Sequence, residues 1–175
     1  MKPQANELVW QKVPGVKRAR EIVIDGASWS RLRRMKVFGS LASVESKGGS
    51  WTLKRVGFFR PRVSIRKADS NETFGVFTPS FTWFGMAGIL ELDGGLTYRW
   101  TATRSFGREH AFIDQSAVPL LHFRGGSGKC RMTIDAPHDA PHLPLLAALG
   151  LYLIQINEED SALMGAVAGA AAAGA

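Results

Sequence analysis

Cysteine is nearly absent: the 175 residues contain one, Cys130, so the chain can form neither an intramolecular disulfide nor a cysteine-based zinc site. That usage fits a reducing compartment. The first 20 residues lack an apolar run, so no secretory signal peptide is expected and the expected location is cytoplasmic. Carboxylates are scarce at the front, where residues 1–67 hold four Asp and Glu against 16 Lys and Arg, a local charge of +12. Residues 68–175 reverse the balance, with 11 acids and six cations. Catalytic pairings are missing too. His110 and His122 have no Ser, Cys or Asp partner at a recognisable spacing, although a triad can assemble in space. No specific nucleic-acid motif occurs. These absences point to a cytosolic protein without a cofactor, and the +7 net charge favours anionic partners, either nucleic acid or an anionic membrane surface.

What is present is a β pattern. From about residue 6 to residue 135, apolar and polar residues alternate, with Gly, Asp, Asn, Ser and Pro at short intervals. Cys130, Met132 and Ile134 fall on one face and Lys129, Arg131, Thr133 and Asp135 on the other. Leu96, Tyr98, Trp100 and Ala102 alternate in the same way with Thr97, Arg99, Thr101 and Thr103. A period of two marks strands with one buried and one wet face, which favours antiparallel pairing. Asp25-Gly26, Lys47-Gly48-Gly49-Ser50 and Asp93-Gly94-Gly95 read as hairpin turns, and Gly125 to Gly128 as a further connection. Ten to twelve strands are expected in one domain, with the aromatic stretch Pro79 to Gly85 read as a loop.

The pattern breaks at Pro137-His138-Asp139-Ala140-Pro141-His142. Leu143 to Ile156 follows, with Gln155 its one strongly polar side chain. Pro144 suits a first helical turn. A helix apolar on every side must be surrounded by apolar groups, and 14 residues are short for a bilayer span. The acids Glu158, Glu159 and Asp160 oppose the macrodipole of a helix C-terminus, so either the helix ends near Asn157 or the acids start a second, tail helix at its favourable N-terminal end. Residues 157–175 read as an Ala/Gly-rich, weakly ordered tail or a loosely packed helix.

A sheet with no open edges and an apolar helix with no wet side are both satisfied when the helix threads the sheet. The expected domain is therefore residues 1–156, a closed antiparallel barrel of about twelve strands around a central hydrophobic C-terminal helix near 143–156. The pieces Leu41 to Ser46 and Trp51 to Arg55, Gly57-Phe58-Phe59 with Val63 to Arg66, the Leu92 to Trp100 hairpin and the apolar Leu145–Ile154 helix give the chain a layout that resembles the tubby C-terminal-like superfamily, which includes tubby-like proteins, phospholipid scramblases and LURP-one-related proteins. The resemblance covers most of residues 20–156 and implies a twelve-stranded barrel around its helix. It implies phosphoinositide binding through basic residues for the tubby-like branch. The stretch Asp135 to Ala140 has two spaced acids, too few for the calcium loop of the scramblase branch.

Two basic groups are the candidate sites. The first is Lys54, Arg55, Phe58, Phe59, Arg60, Arg62 and Arg66, with Lys67 beside it, where two aromatics ringed by cations suit a headgroup boundary. The second is Arg31, Arg33, Arg34 and Lys36, with Lys17, Arg18 and Arg20, where alternation sends Arg31 and Arg33 to one face and Arg34 and Lys36 to the other. His138, Asp139 and His142 have metal-ligand residue types, but two prolines and the lack of a third histidine or cysteine favour a capping role for Asp139. Cys130 is expected to be a buried structural thiol. The leading reading is a non-enzymatic binding barrel, peripheral to the membrane, that contacts an anionic membrane surface or a phosphorylated ligand. The alternatives are a structural domain acting through a protein partner, an enzyme or small-ligand carrier with a site assembled from separate strands, and a membrane anchor formed by Leu143 to Ala175.

Overall fold

The computed structural model describes residues 7–35, 39–57, 59–82, 85–103, 109–126, 128–137, 140 and 142–173, side chains at 81, 82, 85 and 168–173 excepted. Among the described residues, thirteen strands precede one helix. They are β1 (Glu7–Val9), β2 (Gln11–Lys12), β3 (Ala19–Ile24), β4 (Ala27–Arg34), β5 (Ala42–Ser46), β6 (Gly49–Val56) and β7 (Arg62–Lys67). Then come β8 (Thr73–Thr82), β9 (Gly85–Leu92), β10 (Thr97–Ala102), β11 (Glu109–Ile113), β12 (Pro119–Arg124), β13 (Arg131–Ile134) and α1 (Leu143–Ala173).

From β2 to β13 each strand pairs antiparallel with the next, an up-and-down meander. The ends of this sheet meet through one short crossing. β1 pairs with β13, as Leu8 with Met132, and β2 pairs with β3, as Gln11 with Glu21. Trp10, between the two halves, donates its N–H to the Cys130 carbonyl at 3.0 Å. Counted as a single crossing, β1 and β2 make twelve strands in a nearly closed barrel, as the pattern of apolar alternation anticipates. The Asp25-Gly26 turn shows how local chemistry sets register. Both residues have positive φ, 52° and 75°, and they link the paired residues Ile24 and Ala27, the geometry of a two-residue type I′ hairpin.

The inward side chains form one core with the helix. On β6, Trp51 and Leu53 are buried and Lys54 is exposed; on β13, Met132 and Ile134 are buried. On α1, Leu143, Leu145 to Leu149 and Leu151 to Leu153 have no exposed surface, so every side of the helix is covered. The helix therefore runs down the barrel. Each large apolar side chain on it contributes roughly 1.5–3 kcal/mol over an exposed one, which offsets the entropy of ordering two layers at once. Ser30 fastens the near end by donating to the Pro144 carbonyl at 2.7 Å.

Two local expectations need correction. Pro79 to Thr82 is strand, not loop, because β8 continues to Thr82 alongside β9. Pairing with β7 stops at Phe77, so Pro79 stands on a locally open edge where its missing N–H costs no bond. The helix also does not end near Asn157. It continues to Ala173, which places Glu158, Glu159 and Asp160 in its interior rather than against its C-terminal dipole. Alanine, the strongest helix former, dominates the continuation.

Candidate functional site

An antiparallel meander sends successive connections to opposite ends of the barrel. The helix starts at one end, here called the floor, and leaves at the other, the mouth. Among the described residues, the floor connections carry Asp25, Asp69, Glu72, Asp93, Asp114 and Asp135 against Lys47 alone. The mouth connections carry Lys17, Arg18, Arg60 and Lys129 and no carboxylate among the described residues. Lys12, Arg20, Arg34, Arg55 and Arg62 add to the same end from the tips of β2, β3, β4, β6 and β7; of the opposite kind are Glu109, paired with Arg124 at the mouth tip of β11, and Lys67, near Glu72 at the floor tip of β7. The barrel is thus electrically polar along its axis.

The helix brings the balancing acids to the mouth. Arg34 faces inward from β4 with 8 % of its side chain exposed. Its Nη2 donates to the Gly39 carbonyl at 2.7 Å and to Glu159 Oε2 at 3.2 Å, and its Nη1 lies 3.1 Å from Glu159 Oε1. The guanidinium also sits 5.7 Å from the centre of the Tyr152 ring. Arg55 faces inward from β6 and donates Nη1 to both carboxylate oxygens of Asp160 at 2.8 Å. The Tyr152 hydroxyl donates to the Ser40 carbonyl. Burial pushes that phenol up, against the opposing pull of Arg34 and Arg55. Two arginines of the wall, Arg34 and Arg55, therefore clasp the helix where it emerges, and Tyr152 of the helix reaches out to the Ser40 carbonyl.

Beside the clasp a cavity of about 810 Å³ opens between the helix and the β2–β3 connection. Lys12, Lys17, Arg18, Arg20 and Arg34 line its barrel side; Gln155, Glu158 and Glu159 line its helix side. Arg34 Nε and Gln155 Oε1 are buried without a hydrogen-bond partner. The cations on the barrel side suit an anionic group, while Glu158 and Glu159 on the helix side oppose it.

The sequence-derived groups are divided by the fold. Of the first, Phe59 is 93 % exposed in the β6–β7 connection, with exposed Arg60 next to it and Arg62 following at the start of β7. Lys54 and Arg66 sit farther down the outer wall, cross-strand from Ser64 and Thr52, and Arg66 donates to Asn71 at 3.3 Å. Arg55 is not a surface contact, since it faces inward as half of the Asp160 clasp; a strand tip at the mouth converts an inward arginine into a helix anchor. Phe58 lies outside the described residues. In the second group the alternation holds: Arg31 is outward and paired with Glu21 at 2.9 Å, Arg33 is exposed, and Arg34 is inward. Lys36 lies outside the described residues. Arg34 joins Lys17, Arg18 and Arg20 at the cavity, whereas Arg31 and Arg33 do not.

The remaining candidates lie outside the lining of this cavity or outside the described residues. His138 and Asp139 lie outside the described residues, and no cluster of metal-ligating side chains occurs among the described ones. His142 packs against Phe74 at 5.6 Å, and burial lowers its pKa. Cys130 is fully buried, which pushes its thiol up to about 12. His110 stacks on Trp100 at 4.9 Å, and His122 lies 3.3 Å from Asp135. Sequence reasoning missed the part played by Lys12, Gln155, Glu159 and Asp160. The signal was there: an acid cluster in a charge-poor C-terminal segment, matched to an upstream excess of arginine.

Comparison with protein-family models, curated proteins and solved structures finds no match.

Proposed function

We propose that this barrel is a non-enzymatic binding module that docks on an anionic membrane surface through its mouth. The observation that supports this most is the separation of charge between the two ends, with Phe59 exposed at the cationic one. A negative surface attracts the mouth and repels the floor, so the field orients the molecule before contact. Each cation near an anionic leaflet contributes about 1 kcal/mol, and an exposed aromatic sits well at the headgroup boundary. Membership of the tubby C-terminal-like superfamily is part of the proposal, supported by the layout of a twelve-crossing barrel around an apolar helix.

The test is co-sedimentation with vesicles of phosphatidylcholine, alone and mixed with phosphatidylserine, at low and high salt. Binding is expected only with the anionic mixture and is reversed by salt. The triple substitution Lys17→Glu/Arg60→Glu/Arg62→Glu should weaken it about 100-fold or more, at ~1 kcal/mol per cation. Lys47→Glu, at the floor, should leave it unchanged. Absence of binding at low salt would sink the proposal.

A soluble phosphorylated ligand is the second reading, favoured by the cavity that Lys12, Lys17, Arg18, Arg20 and Arg34 line. Calorimetric titration with pyrophosphate tests it, and Arg34→Ala should abolish any heat that belongs to that cavity.

A further inference from the structure

The helix does not stop at the clasp. From Ser161 to Ala173 it carries no charged residue and runs on beyond the mouth of the barrel. Its large side chains there are exposed: Leu163 at 65 %, Met164 at 72 % and Val167 at 67 %. Spaced i, i+1 and i+4, these three lie on one face of the helix. An apolar helix face left in water at one end of a protein marks an interaction surface.

We propose that Ser161–Ala173 is a membrane-insertion element that enters one leaflet of an anionic bilayer while the cations of the mouth hold the headgroups. This rests on the reading that the mouth docks on such a surface, and it names the segment that goes in. Charge complementarity selects the occupant. The apolar segment rises from a ring of cations, which suits a surface that is negative outside and apolar inside. A second copy docking along the same face would bring two cationic mouths together.

The described segment is long enough to enter a leaflet. Its thirteen residues at 1.5 Å each reach about 20 Å, against about 15 Å for half of a hydrocarbon core. No helix among the described residues is long and apolar enough to cross a membrane. The root of the segment is suited to the headgroup level. Glu159 and Asp160 are paired with Arg34 and Arg55, so the surface does not meet them as isolated negative charges. The same helix is buried from Leu145 to Ile154, so the inserted part continues directly from the core.

The test attaches an environment-sensitive fluorophore to Met164→Cys in the full chain. Cys130 is buried, with its thiol pushed up to about 12, and stays unlabelled. On vesicles of phosphatidylcholine and phosphatidylserine the probe should shift to the blue and be quenched by nitroxide-bearing acyl chains. The same probe on Ser116→Cys, at the floor, should do neither. Vesicle-bound protein whose Met164→Cys probe stays in an aqueous environment would overturn insertion and leave surface docking standing. Failure to bind at all would overturn both. Leu163→Asp/Met164→Asp/Val167→Asp should weaken vesicle binding roughly tenfold or more without changing the thermal melt. Unchanged vesicle affinity in that variant overturns the proposal. So does a lipid-free dimer of the parent protein that this variant abolishes, since the face would then belong to a second copy.

Discussion

Adding one methyl group at Gly150 tests the threading of the barrel directly. A Cβ at that position would stand 2.7 and 2.8 Å from Cε1 and Cε2 of Phe123, and closer still to Cζ. Phe123 is 1 % exposed and cannot swing away freely. Its ring meets Trp100 edge-on at 5.3 Å and Phe112 at 6.3 Å. Overpacking of this kind costs about 1–3 kcal/mol. The higher helix propensity of alanine returns about 1 kcal/mol. Because the ring is held on two sides, the cost should lie in the upper part of that range, about 2–3 kcal/mol, leaving a net loss of about 1–2 kcal/mol, or roughly 2–8 °C in Tm for a domain of this size. Gly165→Ala is the matched control on the same helix, since a Cβ there meets nothing within 4 Å. It should cost nothing and add up to about 1 kcal/mol of local helix stability. Phe123→Leu should recover part of the Gly150→Ala loss, with a coupling above about 0.5 kcal/mol in a double-mutant cycle. Thermal melts by circular dichroism read the parent protein and its four variants. Equal or higher Tm for Gly150→Ala would mean that the helix does not pack against β12, and the central reasoning would fail.

Three other outcomes are expected. Arg34→Ala should destabilise the protein by about 1–3 kcal/mol, because it strips a donor from the Gly39 carbonyl and a partner from Glu159; Arg34→Lys should not restore it, since one ammonium cannot span both. A full Tm rescue by lysine in the melt would contradict the clasp. Cys130 should resist thiol reagents in the native protein at pH 8 and react only on unfolding, as followed by mass spectrometry; rapid native labelling would contradict its burial. Stability should fall in alkali. Cys130, Tyr98 and Tyr152 all hold their protons more tightly folded than unfolded, so the unfolded chain releases protons first as pH climbs from the ordinary thiol value of 9.0 toward about 12. Tm measured between pH 8 and 10.5 should drop, and Cys130→Ala should flatten that drop.

Much of the architecture is legible in the chain because its causes are local. Alternation in the segments around Trp51 and Met132 states which face is wet. Asp25-Gly26 supplies the two positive φ values that a tight hairpin takes. The run Leu143 to Ile156 has no polar face, which excludes a helix lying half in water. The misreadings have local causes as well. Pro79 argues against a strand only where a neighbour on its N–H side needs that donor, and pairing with β7 has ended at Phe77. The acids after Asn157 argue for a helix end only if nothing pairs with them.

The candidate site was legible as composition but not as place. A count of charges shows a basic first third, yet Arg31, Arg33 and Arg66 belong to the outer wall while Arg34 and Arg55 turn inward to the helix. Inward or outward is a property of strand register, and register depends on pairings with distant strands. By itself the sequence determined an antiparallel barrel, its turns and a helix that must be enclosed, since each follows from patterns a few residues long. Tertiary structure alone decided that cations collect at one end and acids at the other, that Glu159 and Asp160 meet arginines more than 100 positions away, and that the helix outruns its barrel. These depend on which ends of which strands come together, and only closure of the chain upon itself sets that.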